Sequence, residues 1–195
     1  DALLPDECQR ANAYTYTVDV GRIAAKLEVG WLSWLPSRTF TLDRAEVQAC
    51  DSAEAPPGGA LLFAHGFLGS PFDMAHACEA LASDGFLVVA PALPESLAAS
   101  YEARAGVDRE AIVRATQEAF GVRLASAKGD EWQRWGIFGH SAGSATALLQ
   151  PGEFALGRVC MATALGRCLE APTNDPLFLV ASEGDVSSLP ATLDE

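Results

Sequence analysis

Short runs of consecutive apolar residues alternate along the chain with stretches whose apolar positions recur at helical spacing. Residues Ala60 to Ala64 read ALLFA and follow a Pro-Pro-Gly-Gly stretch. An unbroken apolar run of that kind predicts a strand buried on both faces. Phe86 to Ala90 (FLVVA), closed by Pro91, predicts a second, and Trp135 to Phe138 (WGIF) a third. Val159 to Ala162 and Leu177 to Ala181 supply two more. Helices are predicted between them. One spans Pro71 to Ser83, with Pro71 early and Gly85 just past its end. Asp108 is placed to cap another, running to about Ala127, with Ile112, Ala115, Ala119 and Val122 on one face. A third, Ala142 to Gln150, follows the WGIF strand directly and is stopped by Pro151. This alternation predicts the α/β class: a mostly parallel sheet with helices on both faces.

The beginning of the chain has the weakest pattern, and residues 1–44 remain poorly assigned. Tyr14 to Val20 alternates and is expected to form an edge strand. Ala45 to Asp51 (AEVQACD) also alternates and is expected to hairpin towards the ALLFA strand. Trp31 and Trp34, between them, are expected to pack against the sheet's edge. Ser52 to Gly59 (SAEAPPGG) has the composition of a surface turn. There is no internal repeat or linker, and 195 residues fit one domain of the usual ~100–200.

Composition narrows the function classes. A hydrophobic fraction of 49% and a charged fraction of 20% belong to a globular protein. A net charge of -13 argues against nucleic acid, whose phosphates need clustered Lys and Arg, and an anionic membrane surface would repel it. No apolar run reaches the ~18 residues of a transmembrane helix. The first residue is Asp1, and no basic–apolar leader pattern opens the chain. Cys8, Cys50, Cys78, Cys160 and Cys168 form no CxxC pair, so no zinc or other metal site is expected. They read as free, partly buried thiols, with a Cys160–Cys168 bridge open to a secreted protein.

The chemistry concentrates at Gly139-His140-Ser141-Ala142-Gly143, a G-x-S-x-G pattern between a buried strand and a small-residue helix. A nucleophilic serine needs a sharp turn at the carboxyl end of a strand so that its hydroxyl projects. The flanking glycines let strand and helix backbones approach closely. The helix amino terminus then offers the Ala142 N–H to a developing oxyanion. A second stretch, His65-Gly66-Phe67-Leu68-Gly69, follows the first buried strand, and its tight turn is expected to aim the Phe67 N–H at the same oxyanion. His65 reads as structural, His140 as pointing away on the turn, and His76 as a surface or packing residue. After the Leu177 to Ala181 strand comes Ser182-Glu183-Gly184-Asp185. A carboxylate just beyond a late strand is where a triad acid belongs in the order Ser…Asp…His, and Asp185 is preferred to Glu183.

HGFLG, GHSAG and SEGD, in that order, resemble the α/β-hydrolase superfamily, and within it the dienelactone-hydrolase-like and cutinase-, lipase- or chlorophyllase-like serine esterases. The resemblance covers about residues 45–190. It implies one α/β-hydrolase domain over 1–195, with an eight-stranded sheet and a base histidine on a loop after the last strand. No histidine follows His140, so the last strand, last helix and histidine loop are expected to be missing from the chain. The expected activity is hydrolysis of a small-molecule carboxylic ester with an apolar part, without cofactor or metal. Ser141 attacks, Phe67 and Ala142 hold the oxyanion, and Asp185 orients a histidine beyond residue 195. Phe67, Leu68 and Phe72 suggest an apolar mouth, and Pro91 to Ser100 is expected to lie over it. Two competing readings are a non-catalytic protein of the same fold holding an apolar ligand, and an open flavodoxin-like nucleotide binder. Oligomeric state is left open.

Overall fold

A computed structural model describes residues 13–18, 20–26, 28–32, 34–36, 38–43, 58–94, 96, 108–128, 134–162 and 174–181. Two sheets are present among them. The smaller pairs β1 (Ala13–Val18) with β2 (Arg38–Asp43), antiparallel, from Ala13 opposite Asp43 to Val18 opposite Arg38. Helix α1 (Val20–Lys26) and a single 3-10 turn (Gly30–Leu32) lie between these strands.

This differs from the expectation for the same region. The strand expected over Tyr14 to Val20 stops at Val18, and its partner is Arg38–Asp43, a separate ribbon rather than the edge of the main sheet. The sequence RTFTLD, rich in Thr and Phe, carries the β propensity that makes it the partner. Trp31 and Trp34 do not pack a sheet edge: they are 74% and 75% exposed. The Ala45 to Asp51 hairpin strand lies outside the described residues.

The larger sheet has five strands, all parallel, in the order β4-β3-β5-β6-β7. These are β3 (Ala60–Ala64), β4 (Leu87–Val89), β5 (Trp135–His140), β6 (Gly157–Met161) and β7 (Leu177–Val180). Each of the five expected strands is there, with ends moved by at most two residues. Helices α2 (Ala75–Ser83), α3 (Arg109–Lys128) and α4 (Ala142–Leu149) connect or follow them. The chain is therefore of the α/β class. Helix α2 begins at Ala75 rather than Pro71, because residues 71–74 form turns first. Asp108 caps α3 as expected, its Oδ1 accepting the Ala111 N–H at 2.7 Å.

The central strands are apolar on both faces because both faces are covered. The β3–β5 register places Leu62 beside Ile137 and Phe63 beside Phe138. Leu62 and Ile137 join Leu93, Val113, Leu148 and Phe154 in the main core. The Phe63 and Phe138 rings meet with centroids 5.1 Å apart. Burying each such side chain contributes about 1.5–3 kcal/mol. The inward face of α3 is rotated from the expected one. Val113 is fully buried, with Ile112 and Phe120 packed on the core, whereas Ala115 and Ala119 are exposed. The larger side chains at 113 and 120 bury more apolar area than the alanines and set the rotation.

Strand β7 forms one margin of the sheet, and all four of its residues are exposed. Arg158, on β6, is 2% exposed yet fully engaged. Its guanidinium pairs with Asp175 at 2.7 Å and donates to the carbonyls of Ala147, Gln150 and Gly152 at 2.7–2.9 Å. It also lies 4.5 Å from the centre of the Phe154 ring.

Candidate active site

The topology decides where a site can form. From β3 the chain runs outward to β4, then returns to the other side of β3 as β5. At such a switch point the loops after adjacent strands diverge and leave a crevice at their carboxyl ends. Ala64 is paired with Gly139, so the residues that follow, His65 to Gly69 and His140 to Gly143, face one another across that crevice. The two motifs with the strongest chemistry in the sequence are thus brought together.

Ser141 sits at the turn between β5 and α4 with φ 55° and ψ −121°. A non-glycine residue held there is strained, at a cost of order 1–3 kcal/mol, and persists only where the surroundings over-determine it. The surroundings are visible. The Ser141 N–H donates to the Met161 carbonyl at 2.9 Å, and the Ser144 N–H returns to the Ser141 carbonyl at 2.9 Å. The fully buried Ser144 hydroxyl accepts from the Met161 N–H at 2.9 Å and donates its proton towards Gly139 O, at 2.8 Å, or Met161 O, at 2.6 Å. These bonds tie the first turn of α4 to the ends of β5 and β6. The glycines behave as their spacing implied. A Cβ at Gly143 would collide with the Ala64 carbonyl, and one at Gly139 with the Gly143 backbone. The Ser141 side chain is exposed at the turn.

The Ala142 N–H opens α4, where the first amides have no intrahelical acceptor. The loop after β3 passes immediately beside it: a methyl group placed on Gly66 would sit 3.4 Å from both the His140 carbonyl oxygen and Ser141 Cβ. A turn closed by Gly69 N–H to Gly66 O, 3.1 Å, encloses Phe67 and Leu68. Leu68 has φ 56°, and Phe67 is 54% exposed.

His65 is fully buried with both ring nitrogens in use. Nδ1 lies 2.8 Å from the Gly66 carbonyl, and the Leu93 N–H donates to Nε2 at 3.0 Å. These partners require the neutral tautomer with the proton on Nδ1, and they make His65 a strut between two loops. His76 and His140 are exposed. Among the described residues, no histidine hydrogen-bonds the Ser141 hydroxyl. Asp185 and Glu183, the sequence's candidates for the acid, lie outside the described residues, as does half of the Pro91 to Ser100 stretch expected over the site.

Two residues at this site carry no motif in the sequence. Arg109, the first residue of α3, reaches the His65 carbonyl at 2.8 Å and Thr146 Oγ1, on α4, at 3.2 Å. These contacts cross 44 and 37 positions, and no local pattern could have indicated them. Beside them a cleft of about 390 Å³ opens between the start of α3 and the outer face of α4. Arg109, Glu110, Ala142, Ala145, Thr146, Leu149 and Gln150 line it. Its wall thus runs from the residue after Ser141 along α4, where Ala145 and Leu149 are apolar and Thr146 and Gln150 polar.

Cys78 is a free thiol, Cys160 is buried in the core, and Cys168 lies outside the described residues. Burial on α2 pushes the Cys78 thiol up to about 12. Among the described residues there is no cluster of His, Cys, Asp and Glu able to hold a metal, and no helix is long and apolar enough to cross a membrane. No protein-family model matches the chain, and no curated protein matches it.

Proposed function

We propose that this chain is part of an α/β-hydrolase-fold serine esterase, in which Ser141 attacks the carbonyl of a small-molecule carboxylic ester and is transiently acylated. The observation that carries the reading is the strained turn at Ser141, φ 55°, at the switch point and directly beside the Gly66 loop. A serine that only capped a helix would accept a hydrogen bond from the first turn and would need no positive φ; Ser141 makes no such side-chain cap. In this reading the Ala142 and Phe67 N–H groups hold the oxyanion, each worth roughly 10²–10³ in turnover. Asp185 orients the base. Because His65 is committed to Gly66 and Leu93, the proposal takes that base from beyond residue 195.

The chemistry follows in order. The histidine removes the Ser141 proton as Oγ bonds to the ester carbon. The tetrahedral oxyanion collapses, and the alkoxide leaves with the histidine's proton. Water then repeats the sequence on the acyl-enzyme. The exposed Phe67 ring, and Ala145 and Leu149 in the α4 cleft, suit an ester with an apolar part. A second reading has one specific observation in its favour. The five-strand order, counted from β3, is 2-1-3-4-5, which open nucleotide-binding sheets share. Such a binder has no use for a strained serine.

The test is hydrolysis of p-nitrophenyl butyrate by the full-length protein. Ser141→Ala should abolish turnover, and Asp185→Asn should lower it by orders of magnitude through the wrong histidine tautomer. Undiminished hydrolysis by Ser141→Ala would end the proposal.

A further inference from the structure

Arg109 stands outside every motif, yet its contacts converge on the two backbone segments that carry the oxyanion donors. One of its terminal nitrogens, Nη1, has two N–H bonds. One acceptor is the His65 carbonyl, 2.8 Å away, at the entry to the Gly66–Phe67 turn. The other is Thr146 Oγ1, 3.2 Å away. The Thr146 hydroxyl passes the connection on, donating to the Ala142 carbonyl at 3.2 Å. A single guanidinium nitrogen therefore bridges the peptide leading to the Phe67 N–H and, through one hydroxyl, the residue whose own N–H starts α4. The pairing of β3 with β5 holds the two segments together up to Ala64 and Gly139, and beyond it the backbones approach closely at Gly143 and Gly66.

We infer that Arg109 is a positioning residue that sets the separation of the Phe67 and Ala142 amides, with Thr146 as its intermediary. The inference rests on the proposed role of Ser141. Arg109 touches neither Ser141 nor an oxyanion. It acts by holding two loops at a fixed gap. Geometry of this kind matters steeply in catalysis, since misplacement by about 1 Å can cost 10²-fold in rate. Lysine can keep the charge and donate to both acceptors, whereas methionine keeps only the apolar stem.

The experiment compares wild type, Arg109→Lys, Arg109→Met, Thr146→Val and the Arg109→Met/Thr146→Val double variant, in the full-length protein. Three quantities are read: the rate of labelling of Ser141 by a fluorophosphonate probe, kcat and KM on p-nitrophenyl butyrate, and the melting curve. Arg109→Met and Thr146→Val should each lower the labelling rate and kcat together by about 10- to 100-fold. KM should move by less than about twofold, the mark of an interaction made only in the transition state. Arg109→Lys should recover most of the loss. The double variant should be no slower than Arg109→Met, because both lesions break one connection. If Arg109→Met does not fold, Thr146→Val, which removes only a hydroxyl, carries the comparison alone. A cooperatively melting Thr146→Val or Arg109→Met protein with wild-type labelling rate and kcat would overturn the inference, as would additive losses in the double variant. Absence of labelling at Ser141 in the wild type would instead overturn the serine reading on which the inference stands.

Discussion

Replacing Arg158 by methionine should cost this protein a large part of its stability. Methionine fills a similar volume but supplies no donor. Asp175, 13% exposed, then loses this ion pair. The carbonyls of Ala147, Leu148, Gln150 and Gly152, at and just past the carboxyl end of α4, lose a shared donor. The favourable charge at the negative end of the helix dipole goes as well, as does the contact over Phe154. Breaking a buried pair by removing one partner costs about 3–5 kcal/mol, against a typical total of ~5–15 kcal/mol. At roughly 2–4 °C per kcal/mol for a domain of this size, the melting midpoint should fall by about 6–20 °C. Urea unfolding followed by circular dichroism gives the free energy, with the slope checked for two-state behaviour. Arg158→Met/Asp175→Asn should recover only the carboxylate's share, because the carbonyls stay without their donor. A loss below about 1 kcal/mol, the level of an exposed ion pair, or complete recovery in the double variant, would refute the reasoning.

Two further outcomes follow from close packing and burial. Gly143→Ala should fail to accumulate as folded protein, or should melt far below the wild type, because its methyl group meets the Ala64 carbonyl; a wild-type melting curve would show that α4 stands further from β3 than described. The Cys78 thiol should resist alkylation in the folded protein at pH 8 and react once urea unfolds it, as mass spectrometry will read. Its folded value near 12 lies above the 9.0 of a free thiol. Above about pH 9 the unfolded chain therefore gives up this proton first, and Cys78's contribution makes stability fall as pH rises towards 12.

What the sequence could reveal was set by how local the information is. The ALLFA and WGIF strands are legible because burial on both faces demands unbroken apolar runs. GHSAG is legible because a tight strand–turn–helix confines glycines to fixed positions. The Asp108 cap needs only three residues. The strand at Tyr14 was legible but its partner was not, because RTFTLD is short and its paired residues lie 20 to 30 positions away, beyond any hairpin signal. The rotation of α3 was misread because alanine spacing alone does not say which face carries the bulk; Val113 and Phe120 did. Arg109 and Arg158 were invisible for a stronger reason. Their roles exist only when carbonyls from distant segments converge, and a single arginine in a helix or strand has no pattern. His65 was read as structural because it precedes the serine and stands at a strand end where the resembled family keeps a histidine, and its two hydrogen bonds supply the reason.

The central claim is that Ser141 is a nucleophile. The most direct measurement is the intact mass of the full-length protein after treatment with a fluorophosphonate, followed by peptide mapping, beside Ser141→Ala. One adduct per chain, mapped to Ser141 and missing from the alanine variant, is the predicted result. An unmodified wild type, or an adduct of equal yield in Ser141→Ala, would contradict it.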